Sequence, residues 1–259
     1  MRTIARPPSL WAPSLRGQPT RTTSPRAGPR LSAAAPGTDT LDEPDHGSRI
    51  CRVALPGAQL RVLVLATTPD GSVGIDLDSG AFVRALHRPC LPALRTLDVV
   101  AAELAGPPDP PDESRPEAVE LQAGPRLIGR LGRRRAGRYF EALTHPAQGP
   151  LLGFSGTSVP FWTLCGDRPS LALVTPEVGP QLRWTQDGLV CRFAWQGLVH
   201  QLPLQDTRLA TRMTRQRRST CSGRDLARLA GYRPGRLLVM LAPPVEGYCH
   251  KQVSAVLPA

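Results

Sequence analysis

At 259 residues and 41% hydrophobic content, the chain can bury one large core or two small ones, and no apolar run approaches the roughly 20 residues a membrane-crossing helix needs. Its net charge is +11, and every basic side chain except Lys251 is arginine. The cysteines at 51, 90, 165, 191, 221 and 249 are too scattered for a disulfide-built secreted domain, so reduced thiols in the cytosol are expected.

Arginine grips phosphate with a planar two-pronged fork, but GC-rich coding also favours arginine over lysine, along with the 24 Gly and 29 Pro found here. The informative quantity is therefore distribution. Residues 1–38 carry a net +6, residues 39–120 a net −7 and residues 121–259 a net +12. Coding bias gives no reason for this partition, which points to an anionic partner or to one segment packing on the other.

Residues 1–48 are Pro-, Arg- and Ser/Thr-rich without apolar periodicity, the composition of a disordered tail. The same stretch also fits a transit peptide or an over-extended gene start. Residues 49–105 predict a three-stranded meander plus a helix. The meander runs through Leu60–Ala66, Ser72–Leu77 and Ala81–Leu86, with turns at Pro69-Asp-Gly71 and Asp78-Ser-Gly80. The helix is expected over Leu91–Ala105, where Leu94, Leu97, Ala101 and Leu104 recur at helical spacing. Residues 106–120 read as a Pro-rich acidic linker or long loop.

Residues 121–259 read as a basic β-rich domain, which either stands alone or shares one core with 49–105. Strands are expected at Arg138–Leu143, Leu151–Phe154, Val159–Cys165, Leu171–Thr175, Gln181–Thr185, Leu189–Trp195 and Leu198–Leu202. Arg236–Leu241, unbroken and apolar, predicts a central strand, followed by Tyr248–Leu257. Helices are expected after Asp206 and over Ser222–Ala230, the latter closed by Gly231. The whole is a mainly β (α+β) fold, an antiparallel barrel or sandwich with two or three short helices.

Two arginine clusters are the candidate working surface. The first is Arg126, Arg130, Arg133, Arg134, Arg135 and Arg138, interleaved with glycines that predict a loop or twisted hairpin able to approach phosphates closely. Tyr139 and Phe140 follow, residues able to stack on bases. The second is Arg208, Arg212, Arg215, Arg217 and Arg218. If Asp206 caps a helix, the first three form one stripe and Leu209 and Met213 face the core. A solvated charged face is the plain alternative for both clusters.

Other chemistry is thinly signalled. His87 and Cys90, with Cys249-His250, are the only close Cys/His pairings, and they lack the spacing of a zinc knuckle. Gly153-Phe-Ser-Gly-Thr157 misses the nucleophile-elbow pattern at Thr157. Cys165 and Asp167, with His145 or His200 as base, make a thiol site only if the fold gathers them. No phosphate-binding loop or dinucleotide fingerprint occurs, so no cofactor is expected. The expectation is a non-enzymatic binder of an anionic partner, nucleic acid through arginine–phosphate contacts. The alternatives are a protein–protein adaptor pairing its acidic and basic segments, and a small-molecule enzyme or binding protein with a pocket in the barrel mouth.

Overall fold

The computed structural model describes residues 56–87, 94–109, 112–146, 148–164 and 170–259. The expected tail at 1–48 therefore lies outside the described residues.

Five strands close into a barrel: β1 (Gln59–Thr68), β2 (Gly71–Asp76), β3 (Phe82–Leu86), β4 (Asp98–Gly106) and β5 (Ala118–Leu121). The ring runs β1-β2-β3-β5-β4 and back to β1, with β3 and β5 the parallel pair. A sixth strand, β6 (Arg126–Arg130), extends it from β4. Alternation along β1 sends Val62 and Val64 into the barrel with Val83, Val100, Leu104 and Val119. It sends Leu63 and Leu65 outward, into a second apolar layer. At the first hairpin a Cβ on Gly71 would fall 2.1 Å from the Ala85 carbonyl oxygen, and its φ is +153°, so only glycine fits there.

After the helix α1 (Arg133–Leu143), two open sheets follow. One is built from β7 (Ser158–Pro160), β8 (Leu171–Val174), β13 (Pro234–Leu241) and β14 (Tyr248–Pro258), in the order β7-β14-β13-β8. The other is built from β9 (Val178–Thr185), β10 (Gly188–Trp195), β11 (Leu198–Pro203) and β12 (Thr220–Ser222), in the order β11-β10-β9-β12. Helices α2 (Thr207–Arg215) and α3 (Gly223–Ala230) follow β11 and bracket β12 in sequence.

The sheet containing β13 lies between two cores. Leu171, Leu173, Leu238 and Met240 join the layer that contains Leu63 and Leu65 from the barrel and Phe140 from α1. Ala172, Val174, Leu237 and Val239 face the other way, toward Leu182, Phe193, Leu209 and Leu226. Burial on both faces explains why β8 and β13 read as unbroken apolar runs. The layers bury residues from 56–109 and 121–259 against each other through apolar contact rather than charge. Among the described residues, Arg130–Asp98, at 3.9 Å, is the ion pair that joins the acidic middle to the basic part.

A polar pin also crosses this boundary. Arg84 on β3 is fully buried; its Nε donates to Glu117 Oε1 (3.3 Å) and its Nη2 to Ser170 Oγ (3.0 Å). The Ser170 amide donates to the other carboxylate oxygen at 3.2 Å, and its hydroxyl also bonds Glu117. Burial pushes the Arg84 pKa down, and the Glu117 charge opposes that shift.

Several expectations are corrected. Residues 98–106 form strand β4, not a helix. Val99 and Val100 are β-branched, and Val100 and Leu104 point into the barrel, so tertiary pairing overrides the coincidental helical spacing. Residues 118–121, which overlap the end of the linker expected at 106–120, form β5. Residues 133–143 are helical where a loop and then a strand were expected, because Ala136, Phe140 and Leu143 recur on one buried stripe that outweighs Gly137. Residues 151–153 and 161–163 form short 3₁₀ turns.

Candidate anion-binding surface

The first arginine cluster is split between two elements. Arg126 and Arg130 lie on β6, which is exposed along its whole length. Arg133, Arg134 and Arg135 form the first turn of α1, and Arg138 is exposed one turn on. The expected glycine-rich loop is absent here, and close backbone approach is not the device. Gly132 caps α1 without a side-chain hydrogen bond, and the first turn holds no acid. Three cations therefore sit where the helix's free N–H groups and macrodipole favour an anion. Phe140, expected to stack on a base, is instead fully buried in the layer between barrel and sheet, and Tyr139 is half-buried against that layer.

The second cluster follows the expected helix. Asp206 caps α2, its carboxylate accepting from the Arg208 and Leu209 amides at 3.1 and 3.0 Å. Leu209 and Met213 are buried, which turns Arg208, Arg212 and Arg215 outward. Burial raises the Asp206 pKa, and those two amide bonds, with Arg208 and Arg212, oppose the rise. Arg217 is exposed in a left-handed turn (φ 50°), and Arg218 pairs with Asp225 at 3.2 Å.

The clusters meet at the C-terminus of α3. Arg133 Nη2 donates to the Gly231 carbonyl at 2.8 Å, and Arg212 donates to the Leu229 carbonyl. Both guanidiniums thus satisfy carbonyls at the negative end of that helix. Arg133 also lies 5.6 Å over the Tyr232 ring. The Tyr232 hydroxyl donates to the Val256 carbonyl, and burial pushes its pKa up to about 12, so the ring is a neutral face among cations.

Beside it opens a hollow of about 430 Å³ lined by Arg130, Arg133, Arg208 and Tyr232, together with Thr96 and Gly132. Among the described residues no carboxylate lines it, although Arg130 Nε also lies 3.9 Å from Asp98 Oδ1 outside the lining. Arg130 donates to the Thr96 carbonyl at 3.2 Å, while Arg208 has no side-chain partner among the described residues. Arg126, Arg134, Arg135, Arg138, Arg215 and Arg217 are not part of the hollow and have no ion pair among the described residues. Tyr232 had no signal in the sequence, because the contacts that single it out come from 99 and 24 residues away.

The remaining candidates are not gathered. Among the described residues no three His, Cys, Asp or Glu side chains assemble as a metal site, and Cys90 lies outside them. His87 Nε2 is 3.3 Å from Ser72 Oγ, and Cys249 is a buried free thiol. His145 and His200 flank Trp195, their ring centroids 5.1 and 6.0 Å from it. Cys165 and Asp167, their proposed partners, lie outside the described residues. No helix among the described residues is long and apolar enough to cross a membrane. No family model, curated protein or solved structure matches this chain.

Proposed function

We propose that this protein binds nucleic acid, without catalysing a reaction, through arginine–phosphate contacts centred on the hollow between β6, α1, α2 and the end of α3. The observation that carries the reading is the convergence of Arg130, Arg133 and Arg208 from three separate elements on one concavity without a carboxylate. A phosphate there would meet guanidinium forks and the uncapped N-terminus of α1 together. Arg134, Arg135, Arg138 and Arg215 would extend the field along the backbone, steering association and adding contacts that carry no sequence information.

Such binding weakens steeply with salt. Three duplex phosphate contacts alone give a slope of about −2.7 in log affinity against log salt concentration. Fluorescence anisotropy with labelled RNA and DNA at 50 mM and 200 mM salt tests this, alongside the charge-reversed variant Arg133→Glu, Arg134→Glu, Arg135→Glu. Binding that falls with salt and is lost in the variant supports the reading. Failure of both nucleic acids to bind at 50 mM salt refutes it, and unchanged binding by the variant refutes the site.

A further inference from the structure

The sheet β11-β10-β9-β12 has one buried face and one open face. Strand register puts Arg183 opposite Val190 and Thr220, and Arg192 opposite Gln181 and Gln201. All six therefore share a face, because side chains directly opposite one another point the same way. The alternate set, Leu182, Cys191, Phe193 and Leu202, is buried in the core. The open face continues to Val178 and Val199, which are 66% and 61% exposed. It forms a hollow of about 600 Å³, with Trp184, 37% exposed, also contributing to the lining.

Arg183 and Arg192 are diagonal neighbours on adjacent strands. No carboxylate lines the hollow, and neither side chain has a partner among the described residues. Diagonal neighbours on a sheet lie about 7–8 Å apart, close enough for an anion between them to meet both guanidiniums. Gln181 and Gln201 flank Arg192 and offer both donors and acceptors. Residues 1–38 of this chain, with six arginines and no acid, would be repelled from the face. Arg215 and Arg217, at the end of α2, carry the positive charge up to Ser219 and Thr220 at its edge.

Shape narrows the class of anion. Four strands span about 14 Å, and a shallow face of that width has no helix or ribbon to insert into a duplex groove. Splayed bases can lie on it, with phosphates on the arginines and base edges on the glutamines. We propose that the open face of the sheet β11-β10-β9-β12 is a platform for single-stranded nucleic acid, with Arg183 and Arg192 as its phosphate contacts. This rests on the nucleic-acid reading above and assigns it a second surface that discriminates single strands from duplex.

The test is anisotropy with a labelled 12-nucleotide oligo(U) and a labelled 12-base-pair RNA duplex. Three proteins are compared: the wild type, Arg183→Gln/Arg192→Gln, and Arg130→Gln/Arg208→Gln. Losing two single-strand contacts should make the salt slope shallower by about 1.4 and weaken oligo(U) binding roughly 25-fold at 0.1 M salt. Duplex binding by the Arg183/Arg192 variant should stay within twofold of wild type, and an unchanged melting temperature would show that the fold is intact. If that variant binds oligo(U) like wild type while the Arg130/Arg208 variant does not, the platform is wrong and the hollow stands. Equal losses on oligo(U) and duplex would also overturn the platform, and a wild type that binds neither would overturn both readings.

Discussion

The barrel and the two-sheet half use the same side chain in opposite ways. In the barrel segment three of the four described arginines are paired, Arg61 with Asp78, Arg84 with Glu117, and Arg115 with both Asp70 and Asp112, while Arg95 is exposed without an ion pair among the described residues. After residue 121, Arg130, Arg218, Arg228 and Arg236 are the described arginines with a carboxylate within 4.0 Å. The rest face solvent, a hollow or backbone carbonyls. A coding bias toward arginine acts on both halves alike, so it cannot produce this contrast. The difference separates arginine as a structural pin from arginine left available to something outside the fold.

The strongest way to break that comparison is through the pin. Glu117→Gln keeps the shape and removes the charge that compensates buried Arg84. It should destabilise the protein by about 3–5 kcal/mol, because the guanidinium is left unpaired in the interior. Urea unfolding measures this, and adding Arg84→Met to Glu117→Gln should recover much of the loss. A cost under about 1 kcal/mol for Glu117→Gln would show that the barrel's arginines are no more structural than the others.

Lys251, the lone lysine, sharpens the contrast from within the basic half. It is 2% exposed, its Nζ lies 3.9 Å from the Phe154 ring centroid, and it donates to the Phe154 carbonyl at 2.7 Å. No carboxylate partner is among these contacts, and burial pulls its pKa from 10.5 down to about 8. Between those values the unfolded chain holds a proton that the folded one has released. Stability contributed by this group therefore rises as pH climbs from about 8 to 10.5 and is flat above, a gain of about 3 kcal/mol. Cys191 and Tyr232, both pushed up to about 12 by burial, act in the opposite direction at alkaline pH. The wild-type minus Lys251→Met difference in urea stability across pH 7 to 11 isolates the lysine. A flat difference would mean that Lys251 is solvated.

Legibility followed periodicity. Helix α2, the buried pair Leu209 and Met213, and the alternating strand β10 were readable because each carries a local repeat and a cap or turn at its end. Strand β4 was not, since its burial is set by partners 36 to 44 residues away on β1. Helix α1 hid behind Gly132, Gly137 and a run of arginines, although Ala136, Phe140 and Leu143 already mark its buried stripe. The hollow was beyond reach in principle. Thr96, Arg130, Arg208 and Tyr232 belong to four segments distant in sequence, and only the tertiary fold brings them together.

The smallest effect is the most diagnostic, because its two readouts should move in opposite directions. Arg134 is the second residue of α1, exposed, without an ion pair among the described residues, and placed at the helix end that disfavours positive charge. Arg134→Glu should therefore raise stability by about 0.5 kcal/mol, as an acid in the first turn complements the macrodipole. The same change should weaken nucleic-acid binding several-fold by replacing an attractive charge with a repulsive one beside the hollow. Thermal melting and anisotropy on one preparation measure both. If stability rises and binding does not fall, this arginine is there for neither fold nor ligand, and coding bias accounts for it. If stability rises while binding falls, the basic half retains charge at the fold's expense, which is the behaviour of a surface kept for a partner.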